Sequence, residues 1–165
     1  MSETARWALP LLAAGQAQKE MTHNEALAVL DLLVQPVVVM VGANTPPVAP
    51  VAGQCWAVGT APTGAWNGKA GSLAGWTAGG WRFAAGREGM TVWNLDGGTP
   101  AAFVGGEWRA GRSVAGELWI GGQRVVGARG QPILAATGGS VVDVEARAAI
   151  ERIIAALVAH GLIAS

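Results

Sequence analysis

Charge is scarce in this sequence. Asp, Glu, Lys and Arg make up 13% of the 165 residues, about half of the usual share, and the formal net charge is zero, with 11 basic and 11 acidic residues. A neutral balance provides no basic surface for nucleic acid or for an anionic membrane. Because so little charge leaves little repulsion between copies, we expect much of the surface to be covered in an assembly.

Cysteine and long apolar runs are also nearly absent. The single cysteine, Cys55, excludes an internal disulfide, so stability has to come from packing or oligomerisation. The apolar run at 7–14 is short and contains Pro10, which makes a poor signal peptide. The runs at 37–41 and 153–159 are too short to span a bilayer. We therefore expect cytoplasmic synthesis, whatever the final location.

Glycine and tryptophan, by contrast, are abundant. The chain has 25 Gly and 8 Trp beside 2 Phe and no Tyr. Gly-Gly pairs at 79–80, 105–106 and 121–122 lie between β-rich runs, and a further turn signal occurs at 96–98. A type I′ hairpin turn needs positive φ at both central residues, which glycine supplies. The pattern predicts a small antiparallel hairpin sheet or barrel.

The first predicted helix begins at a capping-box motif. Thr22 and Glu25 fit T-x-x-E, in which each side chain bonds the backbone N–H of the other residue. Three apolar residues then follow at helical spacing: Leu27, Leu30 and Val34. Pro36 ends the pattern, and the β-branched run at 37–41 predicts one continuous buried strand.

A second helix is expected near the C-terminus. Either Ser140 or Asp143 can cap it. Its apolar residues form one seam: Ala146, Ile150, Ile153 and Leu157, widened by Ile154. Gly161 stands where a left-handed residue commonly closes a helix. Because so short a helix is not stable alone, it has to dock on its own domain or on neighbouring copies.

These elements divide the chain into three regions. Residues 1–43 form an N-terminal docking arm, a helix and a strand, residues 48–135 form a Gly/Trp-rich β domain, and residues 140–165 form an amphipathic C-terminal helix. The predicted fold class is therefore mainly β with flanking helices, that is α+β.

No catalytic motif is complete. His23, Asn24 and Glu25 do not make a zinc-binding H-E-x-x-H helix, because the second histidine is missing. The segment 63–70 superficially resembles a phosphate loop, but its glycine spacing is wrong and it lacks the Mg-binding hydroxyl. Cys55, in an apolar context, is interpreted as a small core residue. We predict no catalytic residue, no cofactor and no metal site.

The tryptophans can serve either of two purposes in a Gly-rich sheet. An indole can fill a core whose other residues are small, or its flat face can stack on a sugar ring while its N–H donates to a hydroxyl. The best surface candidates for carbohydrate binding are those next to predicted turns: Trp66, Trp76, Trp81 and Trp108.

Two sets of residues are candidates for assembly. A polar run that the capping box does not explain precedes the first helix: Gln16, Gln18, Lys19 and Glu20. We predict that it is a docking contact with a partner protein. The apolar seam of the second helix is the other candidate, through Ile150, Ile153 and Leu157.

A family resemblance starts in the segments LPLLAAGQAQKE at 9–20 and THNEAL at 22–27. They resemble the start of a domain of formally unknown function found in fibre and head-spike proteins of alphaproteobacterial phages and of gene transfer agents, the phage-like particles that move host DNA. Further similar stretches lie at 46–47, 63–66, 80–83, 87–89, 106–108 and 142–150. The resemblance implies a structural role in a virion-like particle, associated with attachment to recipient-cell polysaccharide, and supplies no catalytic residues.

Three functions follow as hypotheses. The first is a non-enzymatic head spike, or a fibre base or connector, on the surface of a phage-like particle. Its partners would be copies of itself as a trimer or pentamer, capsid or distal-fibre proteins, and cell-surface polysaccharide, without nucleic acid or membrane insertion. The second is a free-standing carbohydrate-binding module. The third is a polysaccharide or cell-wall hydrolase that uses Glu20 and Glu25 as paired carboxylates.

Overall fold

The fold consists of two helices and ten short strands, in a computed structural model that describes residues 2–15 and 19–165. In chain order they are α1 Lys19–Leu33, β1 Val37–Val38, β2 Val41–Ala43, β3 Cys55–Val58, β4 Leu73–Thr77, β5 Gly80–Ala84, β6 Thr91–Asn94, β7 Thr99–Val104, β8 Glu107–Ala110, β9 Leu118–Ile120, β10 Gln123–Val126 and α2 Val144–Ala159. A short 3-10 helix at Gly64–Trp66 precedes β4. The predicted α+β class is confirmed.

The chain divides into two compact units. Unit 1 comprises residues 1–113 and unit 2 comprises residues 114–165. The predicted β domain at 48–135 therefore has residues in both. None of the helices in the described residues is long and apolar enough to cross a membrane.

Helix α1 begins at Lys19, about one turn earlier than predicted, so the capping-box prediction is wrong. Thr22 lies inside the helix and not before it. The Glu25 carboxylate instead reaches the Arg82 guanidinium on β5, with O–N distances of 2.6 and 2.5 Å. A tertiary ion pair has therefore replaced the expected local hydrogen bond. The helix ends at Leu33, shortly before Pro36, in agreement with the helix-stop prediction.

The apolar run at 37–41 forms two strands, and the prediction of one continuous buried strand is wrong. β1 pairs in parallel with β6, whereas β2 pairs in parallel with β3. Between the two strands, the Val39 N–H donates to the Cys55 carbonyl at 2.8 Å. The chain crosses from one sheet to the other here, and β-branched side chains favour a strand without specifying which sheet it joins.

Unit 1 contains two four-stranded sheets. The first has the order β2-β3-β4-β5 and the second has the order β1-β6-β7-β8. Side chains from both sheets and from α1 share one core: Leu32, Val38, Cys55, Ala57, Leu73, Ala84, Val92, Ala101, Phe103 and Trp108. Both sheets stay open in the described chain, so the sheet prediction is correct and the barrel alternative is not.

Glycine pairs make two of the hairpin turns as predicted. Gly105 and Gly106 join β7 to β8 with φ of +63° and +87°, and Gly121 and Gly122 join β9 to β10 with φ of +57° and +78°. Positive φ at both central positions is the type I′ pattern. At the third site Gly80 already belongs to β5, so the β4–β5 turn lies one residue earlier than the glycine pair indicates.

Unit 2 contains the β9–β10 hairpin, a largely irregular segment at 127–143, and α2. Of the two cap candidates, the structure selects Asp143, whose Oδ1 accepts from the Ala146 N–H at 2.8 Å. Gly161 closes the other end with a φ of +70°, as predicted. None of the sixteen residues of α2 is buried.

Candidate functional site

The N-terminal arm, residues 2–15, is folded onto the C-terminal half of α1 through a buried carboxylate. Asp31 accepts hydrogen bonds from the Thr4 hydroxyl at 2.7 Å, the Arg6 N–H at 3.0 Å and the Trp7 N–H at 2.8 Å. Only 5% of Asp31 is exposed, and a buried carboxylate is stable only when its oxygens are satisfied in this way. Asp31 therefore fixes the start of the chain to its own domain.

Arg6 and Trp7 cap the end of the same helix. The Arg6 guanidinium donates to several carbonyls at the end of α1, among them those of Asp31 at 2.5 Å and Gln35 at 2.9 Å. The Trp7 Nε1 donates to the Val34 carbonyl at 2.9 Å. The last carbonyls of a helix have no intrahelical donor, so these bonds satisfy groups that would otherwise need water. A positive charge here also complements the helix dipole.

Asn24 holds the arm at a second point. Its Nδ2 donates to the Leu12 carbonyl at 3.0 Å, and its Oδ1 accepts from the Leu12 N–H at 2.9 Å. In the sequence, Asn24 stands out only as part of an incomplete zinc-binding motif. Residue spacing does not indicate its contact with Leu12, which lies twelve positions earlier. The described part of the arm therefore forms hydrogen bonds with α1 of the same chain.

The structure describes only two residues of the predicted polar docking run, Lys19 and Glu20. Gln16 and Gln18 lie outside the described residues, so their role stays a prediction. Lys19 is exposed at the start of α1, and the Glu20 Oε1 accepts from the Gly15 N–H at 3.4 Å. The Glu20 Oε2 is buried and has no hydrogen-bond partner among the described residues. The Glu20 side chain therefore contacts the end of the arm and is partly buried.

Two of the four tryptophans named as the best surface candidates are buried. Trp66 is 0% exposed, because the 3-10 helix that carries it covers the outer face of the first sheet. Trp108 is 8% exposed, because its position on β8 points into the core, where its Nε1 donates to the Gly71 carbonyl at 2.9 Å. Neither ring is available to stack on a sugar.

The other two predicted tryptophans belong to an aromatic cluster. Trp76 and Trp81 are paired across β4 and β5, with ring centroids 5.0 Å apart. Trp81 also lies 5.2 Å from Trp66 and 5.5 Å from Trp56, in edge-to-face geometry. Both are half-buried. Edge-to-face pairing stabilises a core of otherwise small residues, so the core interpretation fits them better than a binding platform.

The tryptophan that unit 1 exposes on a sheet face is Trp93, which the prediction missed. It is 46% exposed on β6, where outward and inward positions alternate as Thr91, Val92, Trp93 and Asn94. It stands in register with Val37 on one side and Pro100 on the other. The period-2 pattern of T-V-W-N, with Val92 inward, is the signal that could have identified it.

An open groove of about 500 Å³ lies beside Trp93. Its lining comprises Leu33, Gln35, Pro36, Val37, Met90, Thr91, Val92, Trp93 and Pro100. Gln35 has a φ of +45°, which is uncommon for a residue with a side chain. The bond from Arg6 to the Gln35 carbonyl helps to hold that conformation at the rim of the groove.

A second cavity, of about 370 Å³, contains the ion pair of Glu25 and Arg82. It lies between the arm, α1 and the β4–β5 hairpin. The hydrogen bond from Arg82 lowers the pKa of the Glu25 carboxyl below its ordinary value. A general acid of a glycoside hydrolase needs the opposite shift, so Glu25 does not fit the acid role in the hydrolase hypothesis.

Cys55 is a core residue, as predicted. It is 2% exposed, and burial raises the pKa of its thiol to about 11. The thiolate, which is the nucleophilic form, is therefore disfavoured. In the described chain, no three His, Cys, Asp or Glu side chains are grouped so that they could hold a metal ion.

The assembly candidates on α2 lie on an uncovered apolar face. Ile150 and Ile153 are 43% and 60% exposed, and Leu157 is half-buried. Together with Ala146 they follow a 4-3-4 spacing, which puts them on one stripe of the helix. The stripe itself contains no charged side chain.

Fold and packing define a small α+β protein whose tryptophans mostly fill the core of a two-sheet unit. A family model described as "Protein of unknown function (DUF2793)" matches residues 23–109, just over half of the chain, and the chain belongs to this family. The matched segment runs from within α1 to β8, so it holds Asp31, Arg82 and Trp93 but not α2. No curated protein matches the chain.

Proposed function

We propose that this chain is a non-enzymatic, homo-oligomeric structural component of a phage-like particle, such as a gene transfer agent or a prophage. In this role it is a head spike, or a fibre base or connector, that supports attachment to polysaccharide on the recipient cell. The particle context comes from the resemblance at 9–27. The oligomeric part rests on the structure of unit 2.

The observation that carries the proposal is the bare apolar face of α2. A helix of sixteen residues is marginal in water without tertiary packing, yet no residue of α2 is buried. Ile150 and Ile153 are 43% and 60% exposed, so completing their burial would contribute up to about 1.5–3 kcal/mol for each side chain. A second copy of the same face has matching apolar character and spacing, which favours self-association.

The residue types on this face favour three or four helices over two. In heptad notation Ile150 and Leu157 occupy a positions, and Ala146 and Ile153 occupy d positions. Isoleucine at both a and d, or leucine at a with isoleucine at d, shifts parallel coiled coils towards trimers and tetramers. A trimer agrees with a fibre base, and Ala149 and Ala156 beside the seam leave room for close approach.

The test uses two double variants with the same added charge. Ile150→Glu with Ile153→Glu puts two carboxylates on the seam, and Ala148→Glu with Ala155→Glu puts two on the opposite, exposed side of α2. Light scattering on the full chain should give several times 16.7 kDa for the wild type and for the alanine-site control. The seam variant should give 16.7 kDa.

Retention of the full mass by the seam variant would show that α2 does not hold the copies together. A wild type that is monomeric at every concentration would reject the assembly proposal outright. The particle context needs its own test: antibody labelling of purified particles from cells that encode the chain. Particles without the label would contradict the spike or fibre role even if the chain is oligomeric.

A free-standing carbohydrate-binding module is the second candidate, and the exposed Trp93 favours it. That function needs no oligomer and no particle. It predicts a 16.7 kDa monomer that binds oligosaccharide through one face. The mass measurement above separates the two candidates directly.

A further inference from the structure

We propose that the groove beside Trp93 is a saccharide-binding site for hexose-based oligosaccharides. This proposal rests on the attachment role proposed above, because it names where unit 1 would contact a polysaccharide. It moves that contact away from the four tryptophans selected from the sequence and onto the outer face of the second sheet.

Three residues of the groove lining form an apolar row across neighbouring strands. Val37, Trp93 and Pro100 stand side by side on β1, β6 and β7, and all three are exposed. Directly opposed residues on neighbouring strands project from the same face of a sheet. The row therefore presents the indole with apolar neighbours on both sides, which is the surface that the C–H face of a pyranose ring matches.

The size of the row fits a sugar better than a protein. Three adjacent strands span roughly 10 Å at the usual strand spacing, about the length of two sugar rings. A specific protein interface buries about 800 Å² on each partner, a patch on the order of 30 Å across. The next outward row carries Thr91 and Arg109, and Arg109 is paired with Glu107 at 2.7 Å, so polar side chains bound the apolar row on this side.

Polar groups border the row where ring hydroxyls would lie. Thr91 is on the same strand face as Trp93, two residues away, and Gln35 lines the groove next to α1. The left-handed backbone of Gln35 lies just after the end of α1, where a residue of this conformation commonly closes a helix. A ligand site of this type has an apolar floor and a few placed polar groups, in a volume of roughly 300–1,000 Å³.

The test is calorimetric titration of the full chain with cellohexaose, maltohexaose and chitohexaose. At least one of them should bind the wild type. Trp93→Ala should weaken that binding about tenfold or more, because the stacking surface is lost. Trp93→Phe should stay within about threefold of the wild type, since a smaller aromatic ring remains. Gln35→Ala should weaken binding by an intermediate factor.

Trp119→Ala is the matched control. Trp119 is 58% exposed on β9, so the control also removes an exposed indole, but it should leave the titration unchanged. An equal loss with Trp119→Ala, or unchanged binding with Trp93→Ala, would overturn the proposal. Failure of all three saccharides to bind the wild type would overturn it as well.

Light scattering on the same variants distinguishes this proposal from the assembly proposal. If Trp93→Ala lowers the mass, the groove is a contact between copies and the saccharide site is rejected. If the mass stays high and no saccharide binds, the saccharide site fails while the oligomeric structural role stands. Binding by a chain that proves monomeric would support the site and remove the oligomeric role instead.

Discussion

Unit 1 and unit 2 place their apolar side chains in opposite environments. Of the fifteen buried apolar residues in the described chain, fourteen belong to unit 1, and Ile163 is the one in unit 2. Unit 2 exposes a long series of large apolar residues, including Leu118, Trp119, Ile120, Ile133, Leu134, Ile150 and Ile153. Both strands of its hairpin are exposed along their whole length.

The contrast distinguishes apolar residues that the chain buries within unit 1 from apolar residues that unit 2 leaves exposed. Unit 1 has two sheets, a helix and an arm that cover one another. Unit 2 has defined local structure, including a capped helix and a type I′ hairpin, but little buried area to stabilise it. Local hydrogen bonds set the shape of an element, whereas burial of apolar area is the main source of its stability. We therefore expect unit 2 to need packing that it does not supply itself.

The largest expected effect comes from removing a core tryptophan. Trp66→Ala takes a fully buried indole out of the aromatic cluster of unit 1, and large-to-small core changes of this kind cost about 3–5 kcal/mol. Trp119→Ala, in unit 2, should cost clearly less than Trp66→Ala, because the indole of Trp119 is 58% exposed in the chain. Guanidinium denaturation of both variants measures the two losses in free energy of unfolding. Equal losses would contradict the proposed difference between the units.

Loss of the Asp31 carboxylate should have the next largest effect. Asp31→Ala leaves the Thr4 hydroxyl and the Arg6 and Trp7 amides without their acceptor, which we expect to cost about 2–3 kcal/mol. Cleavage by trypsin after Arg6 should also become faster as the arm detaches. Asp96→Ala, at an exposed turn, serves as the control. An unchanged cleavage rate for Asp31→Ala would mean that the arm is not held through this residue.

In unit 2 the cap of α2 should give a smaller effect. Asp143→Ala removes the acceptor for the Ala146 N–H, and loss of a helix N-cap costs about 1 kcal/mol. Far-UV circular dichroism should show reduced helix content, whereas Ser140→Ala should not change it. If the serine variant gives the larger loss, the assignment of the cap is wrong.

The smallest effect should be a pH dependence from the ion pair of Glu25 and Arg82. Because Arg82 lowers the pKa of folded Glu25 from its ordinary value of 4.5, the pair stabilises unit 1 fully above that pH and loses this contribution as pH falls through the lowered value. The pair is partly exposed, so we expect only about 0.2–1 kcal/mol. The urea midpoints of the wild type and Glu25→Gln should differ at pH 7 and converge at pH 3. Parallel curves would contradict the contribution.

Sequence reasoning recovered the features that depend on local chemistry. The glycine turns at 105–106 and 121–122, the boundaries of α2 and the core position of Cys55 all follow from residue type and spacing. These features need only φ preferences, helix periodicity and burial tendency. The α+β class was predictable for the same reason.

Features set by tertiary contact were not predictable. The contacts of Glu25 and Asp31 join residues 24 to 57 positions apart, and no local pattern marks such partners. The division of 37–41 between two sheets depends on which strands pair, and the burial of Trp66 depends on its packing against the first sheet. Trp93 was recoverable in principle, since alternation along β6 separates it from Val92.

The mass of the unmodified chain in solution tests the central claim most directly. If the apolar face of α2 is covered by other copies, sedimentation equilibrium should give about three or four times 16.7 kDa, with dissociation only on strong dilution. A mass of 16.7 kDa across the whole concentration range would contradict the claim that unit 2 is an assembly element.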